Sequence, residues 1–158
     1  MNKFLLFCLL YFGILICGNS QSPDWLWAKR IGGINFDAAI SLALDDSENV
    51  YTTGCFSGIV DFDPGPGIFN LSGNSFISKL DKFGNFMWAK AIAGTYSSCG
   101  YSIVVDTFAS RAIYITGHFY GTTDFDPGPG VFNLTSLTNG DYDIFIIKLD
   151  GWGNFEWA

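Results

Sequence analysis

At 158 residues, with 18% aromatic side chains, 19 glycines and only 15% charged residues, the chain is long enough for one domain with a real core. That composition suits short aromatic-rich strands joined by tight turns and argues against both disorder and a long helical bundle. Fifteen acidic against eight basic side chains give a net charge of −7, which excludes nucleic acid as a partner, since its backbone would be repelled and no basic run overrides the repulsion.

Residues 1–20 read as an export signal. Lys3 supplies the positive start, Phe4 to Ile16 is apolar, and Gly18-Asn19-Ser20 places small residues before a cleavage site that would leave Gln21 as the first mature residue. A bilayer span needs about 20 apolar residues; this run is shorter and is followed by polar residues, so no membrane span is expected once the signal is removed. A lipid-modified Cys17 is disfavoured by Ile16, which stands where a small residue is wanted. The expected localisation is secreted or cell surface.

Residues 21–158 form a tandem repeat. Trp25 to Gly33 (WLWAKRIGG) is echoed by Trp88 to Gly94 (WAKAIAG), and Trp157-Ala158 opens a third copy. Each unit offers four strand-like segments: Ala39 to Leu44 and Tyr101 to Val105; Val50 to Phe56 and Ala112 to Phe119; Ser75 to Leu80 and Asp143 to Leu149; then a segment starting at Phe86 and at Phe155. Two-residue alternation bounded by Gly, Asn and Asp predicts short antiparallel strands joined by hairpins. The second unit is longer, with insertions in the Thr107 to Ala112 turn and the Ser136 to Asp141 loop.

Four strands with a tryptophan on the last is the requirement for a β-propeller blade. The expected fold is all-β, with two tandem four-stranded antiparallel blades in an incomplete ring. A first fourth-strand copy spans residues 25–33, blade one about 38–94, and blade two about 99–158 and truncated. A blade cannot bury both faces alone, so further blades of a longer protein, or other copies of the chain, are expected as partners.

Between the second and third segments of each unit stands Asp61-Phe62-Asp63-Pro64-Gly65-Pro66-Gly67, repeated as Asp124-Phe125-Asp126-Pro127-Gly128-Pro129-Gly130. Tyr-x-Thr-Gly precedes it, and Phe-Asn-Leu (Phe69 to Leu71, Phe132 to Leu134), Phe-Ile-x-Lys-Leu-Asp and Gly-Asn-Phe-x-Trp-Ala follow in order. This series resembles the SBBP-type, seven-bladed β-propeller repeat. The resemblance covers nearly all of residues 21–158 and implies an exported protein, of a kind found especially in bacteria of the Bacteroidetes type. It implies no catalytic residues, and it departs from the family in having only two units.

The paired carboxylates Asp61, Asp63, Asp124 and Asp126 are the sharpest candidates for metal chemistry. Residues i and i+2 of an extended chain point the same way, and calcium is the cation they would suit, although it wants six or more oxygens. The competing reading, which is preferred, is a rigid turn in which Asp caps its own backbone, Pro fixes φ and Gly takes positive φ. No cofactor is otherwise expected.

An enzyme is not expected either. A glycan hydrolase or lyase would need a private carboxylate pair, whereas these pairs recur with the scaffold. Asp141 and Asp143 belong to one loop only and are better placed for that. No nucleophile elbow accompanies the Ser, His and Asp residues, and His118, the lone histidine, lacks the neighbours of a metal site. Trp27, Trp88 and Trp157 share one repeat position, which favours packing between blades. Trp152 stands in a turn and, with Asp141, Tyr142 and Asp143, is where an extracellular glycan or protein would be sought. Removing the signal takes away Cys8 and Cys17 and leaves Cys55 and Cys99, a pair that an oxidising compartment would join if neighbouring blades pack closely.

Overall fold

Twelve strands follow one another without a helix among the described residues. The computed structural model describes residues 26–158 apart from 109, 138 and 139; the export signal, Cys8, Cys17 and Trp25 lie outside the described residues. Unit one comprises β1 (Asp37–Leu44), β2 (Val50–Phe56), β3 (Ile59–Asp61), β4 (Asn70–Ser72), β5 (Ser75–Leu80) and β6 (Phe86–Gly94). Unit two repeats the series as β7 (Ser97–Val105), β8 (Ile113–Tyr120), β9 (Thr122–Asp124), β10 (Asn133–Thr135), β11 (Asp143–Leu149) and β12 (Phe155–Trp157).

In each unit four strands form an antiparallel meander, β1-β2-β5-β6 and β7-β8-β11-β12. Their registers agree: Val50 faces Leu80 as Ile113 faces Leu149, and a bulge falls at Ile40 in β1 and at Tyr101 in β7. The meanders are consistent with propeller blades, and the ring is not closed.

The turns are made by aspartates at equivalent places. Asp81 accepts the N–H groups of Phe83 and Asn85 through Oδ1 and the Asn85 amide through Oδ2; Asp150 does the same for Trp152 and Asn154. The following Gly84 and Gly153 have φ of 77° and 79°, which a side chain would oppose.

The expectation of four strands per unit is incomplete. The Asp-Phe-Asp-Pro-Gly-Pro-Gly stretch is the tip of a two-stranded ribbon, β3-β4 or β9-β10, closed by Phe62 N–H to Phe69 C=O and Phe125 N–H to Phe132 C=O, each 2.9 Å. The ribbon reaches backward. β9 pairs with the end of β6, Ala93 opposite Asp124, and Asp61 likewise bridges Gly32. The β9-β10 ribbon is thus a strap from unit two onto the last strand of unit one, whereas β3-β4 makes only the single bridge at Gly32, because residues 26–33, expected as a fourth-strand copy, form no strand there.

Its anchor is the phenylalanine between the two aspartates. Phe62 is buried with Phe56 and Phe76, and Phe125 with Phe119 and Phe145, at centroid distances of 4.9 to 5.3 Å. The main core lies between the units: Tyr51, Ile77 and Ile92 of unit one meet Ile103, Val105, Ile113, Ile115, Ile147 and Leu149 of unit two. Fully burying one such side chain is worth about 1.5–3 kcal/mol. A second cluster, Phe56, Val60, Phe62, Phe76 and Ala89, backs unit one.

Candidate functional site

The aspartate pairs are occupied with their own loop. Asp61 Oδ1 accepts the N–H groups of Asp63 at 3.0 Å and Phe69 at 2.8 Å, and Asp63 Oδ1 that of Gly65 at 2.7 Å. Asp124 and Asp126 repeat this on Asp126, Phe132 and Gly128 with the same distances. Carboxylates that receive N–H groups in this way rigidify a ribbon tip; its glycines do not take the expected positive φ, and Gly67 and Gly130 instead leave room for the Asp63 and Asp126 carboxylates, which a side chain would overlap. Among the described residues, no three His, Cys, Asp or Glu side chains cluster as metal ligands.

The second group of candidates is split by the fold. Tyr142 and Asp143 stand at the start of β11, whereas Trp152, 75% exposed, lies in the turn beyond its end. Seven residues of strand separate the two by about 20 Å at roughly 3.3 Å per residue. Asp143 Oδ2 accepts the Leu137 N–H at 2.9 Å and so closes the inserted loop. Asp141 is exposed beside it.

Tyr142 instead joins an aromatic cluster that sequence reasoning missed. Its ring lies 4.3 Å from His118 and 6.1 Å from Tyr120; His118 lies 4.9 Å from Tyr101, and Tyr120 stacks on Tyr96 at 4.8 Å. Burial pulls the His118 pKa below the usual imidazole value, which favours the neutral ring at pH 7. In register, these five rings replace Gly73, Cys55, Ser57, Ile40 and Asn35 of unit one. That substitution pattern is the signal that could have found them.

A charged knot sits where β1 ends, β2 begins and β5 ends. Lys79 Nζ lies 3.4 Å from Asp45 Oδ2 and 4.6 Å above the Tyr51 ring, and the Tyr51 hydroxyl donates to the same oxygen at 3.1 Å. Burial pushes the Asp45 carboxyl upward, but hydrogen bonds from the Asn49 side chain and backbone, the Ser47 N–H and Tyr51 outweigh it and hold the pKa at about 2. Burial, then the Asp45 charge and hydrogen bond, raise the Tyr51 hydroxyl well above the usual phenol range. In unit two Lys148 turns to Glu156 at 2.7 Å instead.

Equivalent positions show which surfaces lack a neighbour among the described residues. Tyr51 and Ile77 are fully buried against unit two, but their counterparts Tyr114 and Ile146 are 37% and 53% exposed. Conversely, Ile103 and Val105 are buried against unit one, while Leu42 and Leu44 are 65% and 52% exposed. A groove of about 360 Å³, lined by Trp27, Asp37, Leu42, Phe62 and Leu80 among others, runs along that front side of unit one.

The tryptophans follow the same logic. The Trp27 ring packs on the Gly84 turn and its Nε1 donates to Lys82 C=O at 2.9 Å; the Trp88 ring packs on the Gly153 turn; Trp157, next in the series, is exposed.

Four contacts on the inner edge tie the units together. A disulfide in the structure joins Cys55 to Cys99, whose Cα atoms are 4.7 Å apart. Ser75 and Ser98 share a hydroxyl hydrogen bond of 2.9 Å, and the Asn74 amide donates to Tyr96 C=O at 3.0 Å. A side chain on Gly100 would overlap the Thr53 hydroxyl.

No family model matches the chain, and no solved structure matches it. It is similar to an uncharacterized WD repeat-containing protein of Acanthamoeba polyphaga mimivirus, with 29% identity over 171 aligned residues covering 89% of this chain. The chain spans 12% of that protein's length. With the all-β meanders, this similarity supports a repeat-built, β-propeller-like fold and no helix long and apolar enough to cross a membrane is found among the described residues.

Proposed function

We propose that the chain is an exported, SBBP-like segment of β-propeller blades that acts as a binding or structural module at or beyond the cell surface, without catalysis of its own. The observation that carries this is the pair of exposed faces, each equivalent in register to a face buried between the units. Such faces are interaction surfaces whose natural covering is another blade. The Lys3, apolar and Gly18-Asn19-Ser20 pattern supports export.

Light scattering and apolar-dye binding on the purified protein test the proposal. Strong dye binding, with only non-specific association through the apolar faces, is expected; a stable, cooperatively melting monomer that binds no dye would contradict it.

A second reading, carbohydrate binding, is favoured by the aromatic cluster private to unit two, because exposed tyrosine faces can stack on sugar rings. On a glycan array, binding without turnover supports this reading, release of product makes the domain an enzyme, and neither outcome leaves a scaffold. Tyr142→Ala, at an exposed position, should abolish any binding that uses the cluster.

A further inference from the structure

The internal joint between the units is a template for what fits the open ends, an argument that rests on the reading that those ends accept blades. Its apolar part would be matched by a second copy of the chain stacked head to tail, since Tyr114 would then meet Leu42 and Leu44 much as Tyr51 meets Ile103 and Val105. The inner edge tells otherwise, contact by contact.

Thr53 Oγ1 is fixed by donating to Phe76 C=O at 2.8 Å, and Gly100 leaves it room. Thr116 is fixed identically, donating to Phe145 C=O at 2.8 Å, but the residue equivalent to Gly100 in a second copy is Ala39, whose methyl would overlap it. Ser75 and Ser98 become Ile144 and Asp37, so a carboxylate would be pressed on an alkyl chain. Asp37 already has a buried Oδ1 without a hydrogen-bond partner, while its Oδ2 accepts the Gly33 N–H at 2.7 Å. The Asn74 amide becomes the Asp143 carboxylate, which cannot donate to the backbone C=O of Asn35 as Asn74 does to that of Tyr96. The Cys55 and Cys99 pair becomes His118 and Ala38.

We infer that unit two is covered by a β-unit of different sequence and not by a second copy of this chain: a four-stranded unit whose innermost strand carries glycine opposite Thr116, an apolar residue opposite Ile144, and an N–H or hydroxyl donor toward Asp143. The unit covering the front of unit one carries a small or polar side chain where it faces Asp37, the place to which a second copy would bring Ile144. Apolar burial makes both ends adhesive, and these polar and steric positions choose the neighbour.

Two pairs of proteins test this, made in the full chain on a background of Cys8→Ser and Cys17→Ser. The thiol-only pair mixes Ala38→Cys with His118→Cys. The matched pair mixes Asp37→Ser/Ala38→Cys/Ala39→Gly with His118→Cys/Asp143→Asn/Ile144→Ser, which rewrites the open edges to copy the internal joint. After mixing under oxidising conditions, a one-to-one dimer linked through positions 38 and 118 is quantified on non-reducing gels and mapped by mass spectrometry. The matched pair should link at least about 100-fold more efficiently, because it removes one overlap and two unpaired polar groups.

Equal linking by both pairs overturns the inference but leaves the faces as blade-binding surfaces. Linking by neither pair, with each protein retaining the parent's melting transition, overturns the blade-face reading and the inference with it. If a triple variant does not fold, Ala39→Gly is added alone to the thiol-only pair; its site is exposed, and relief of the overlap should raise linking about 10-fold. No increase overturns the inference.

Discussion

The tie between Cys55 and Cys99 is the contact whose removal should be felt most. The cysteines are separated by 44 residues and belong to different units, so the bond closes a long loop that includes the whole of β3 to β6. In the chain-entropy account, a crosslink closing a loop of that length stabilises by about 4 kcal/mol. Spread over an unfolding entropy of about 2.1 cal/mol/K per residue, that corresponds to a fall in Tm of about 15 °C for Cys55→Ala/Cys99→Ala. The assay is scanning calorimetry of parent and variant without reductant, beside alkylation and mass analysis of the native protein. A shift below about 3 °C would show that the loop is held by the apolar joint alone. Two alkylated thiols in the native protein would refute the bond itself.

Other outcomes follow from the site geometry. Because the aspartate pairs already bind backbone N–H groups, Tm should change little between calcium and chelator; a rise of more than about 5 °C with calcium, abolished by Asp61→Asn/Asp63→Asn, would establish a cation site. Asp45, whose pKa falls from 3.8 unfolded to about 2 folded, should contribute its stability fully above about pH 4 and lose it as pH falls toward 2. That contribution, about 2 kcal/mol, should vanish from the acid limb of the stability profile in Asp45→Asn; an unchanged limb would show that the carboxylate is not held as described. Mass spectrometry of the secreted product should find Gln21, free or cyclised to pyroglutamate, at its N-terminus, and retention of Met1 would reject export by a cleaved signal.

How far the sequence foretold this arrangement depends on whether the cause was local. The boundaries of β2, β5 and β11 were legible because alternation and the flanking Asp and Gly-Asn turns act within a few residues. β7 begins four residues earlier than its apolar pattern, at Ser97, since Ser98 and Gly100 are buried by contact with unit one and not by hydrophobicity. The ribbons escaped notice because three-residue strands are too short to show a period, and their one signal was Phe62 or Phe125 amid polar turn residues. Trp152 and Tyr142 both mark places where unit two departs from unit one, but an extended strand holds its two ends apart. The aromatic cluster draws residues from the turn before β7, from β7 and β8 and from the loop before β11, so only comparison of the two units, ring against non-ring, makes it visible.

The two units differ in kind at some positions and only in degree at others, and the difference follows the physics of the joint. Leu42 and Leu44 answer to Ile103 and Val105, and Tyr51 to Tyr114, exchanges that keep an apolar face adhesive because burial is non-directional. Asp37 answers to Ser98, Ala39 to Gly100, and Cys55 to His118, exchanges that alter donors, acceptors and room at fixed points, where a misfit leaves a buried group unpaired. The first set supplies the free energy of stacking and the second set chooses which face stacks. A unit of this type can therefore change its neighbour through a few substitutions at the inner edge, around residues 35–39 in unit one and 96–100 in unit two, while its apolar face stays the same. The order of units in an array of such repeats would then be written in those edge residues, where the strands begin, and not in the core that holds the array together.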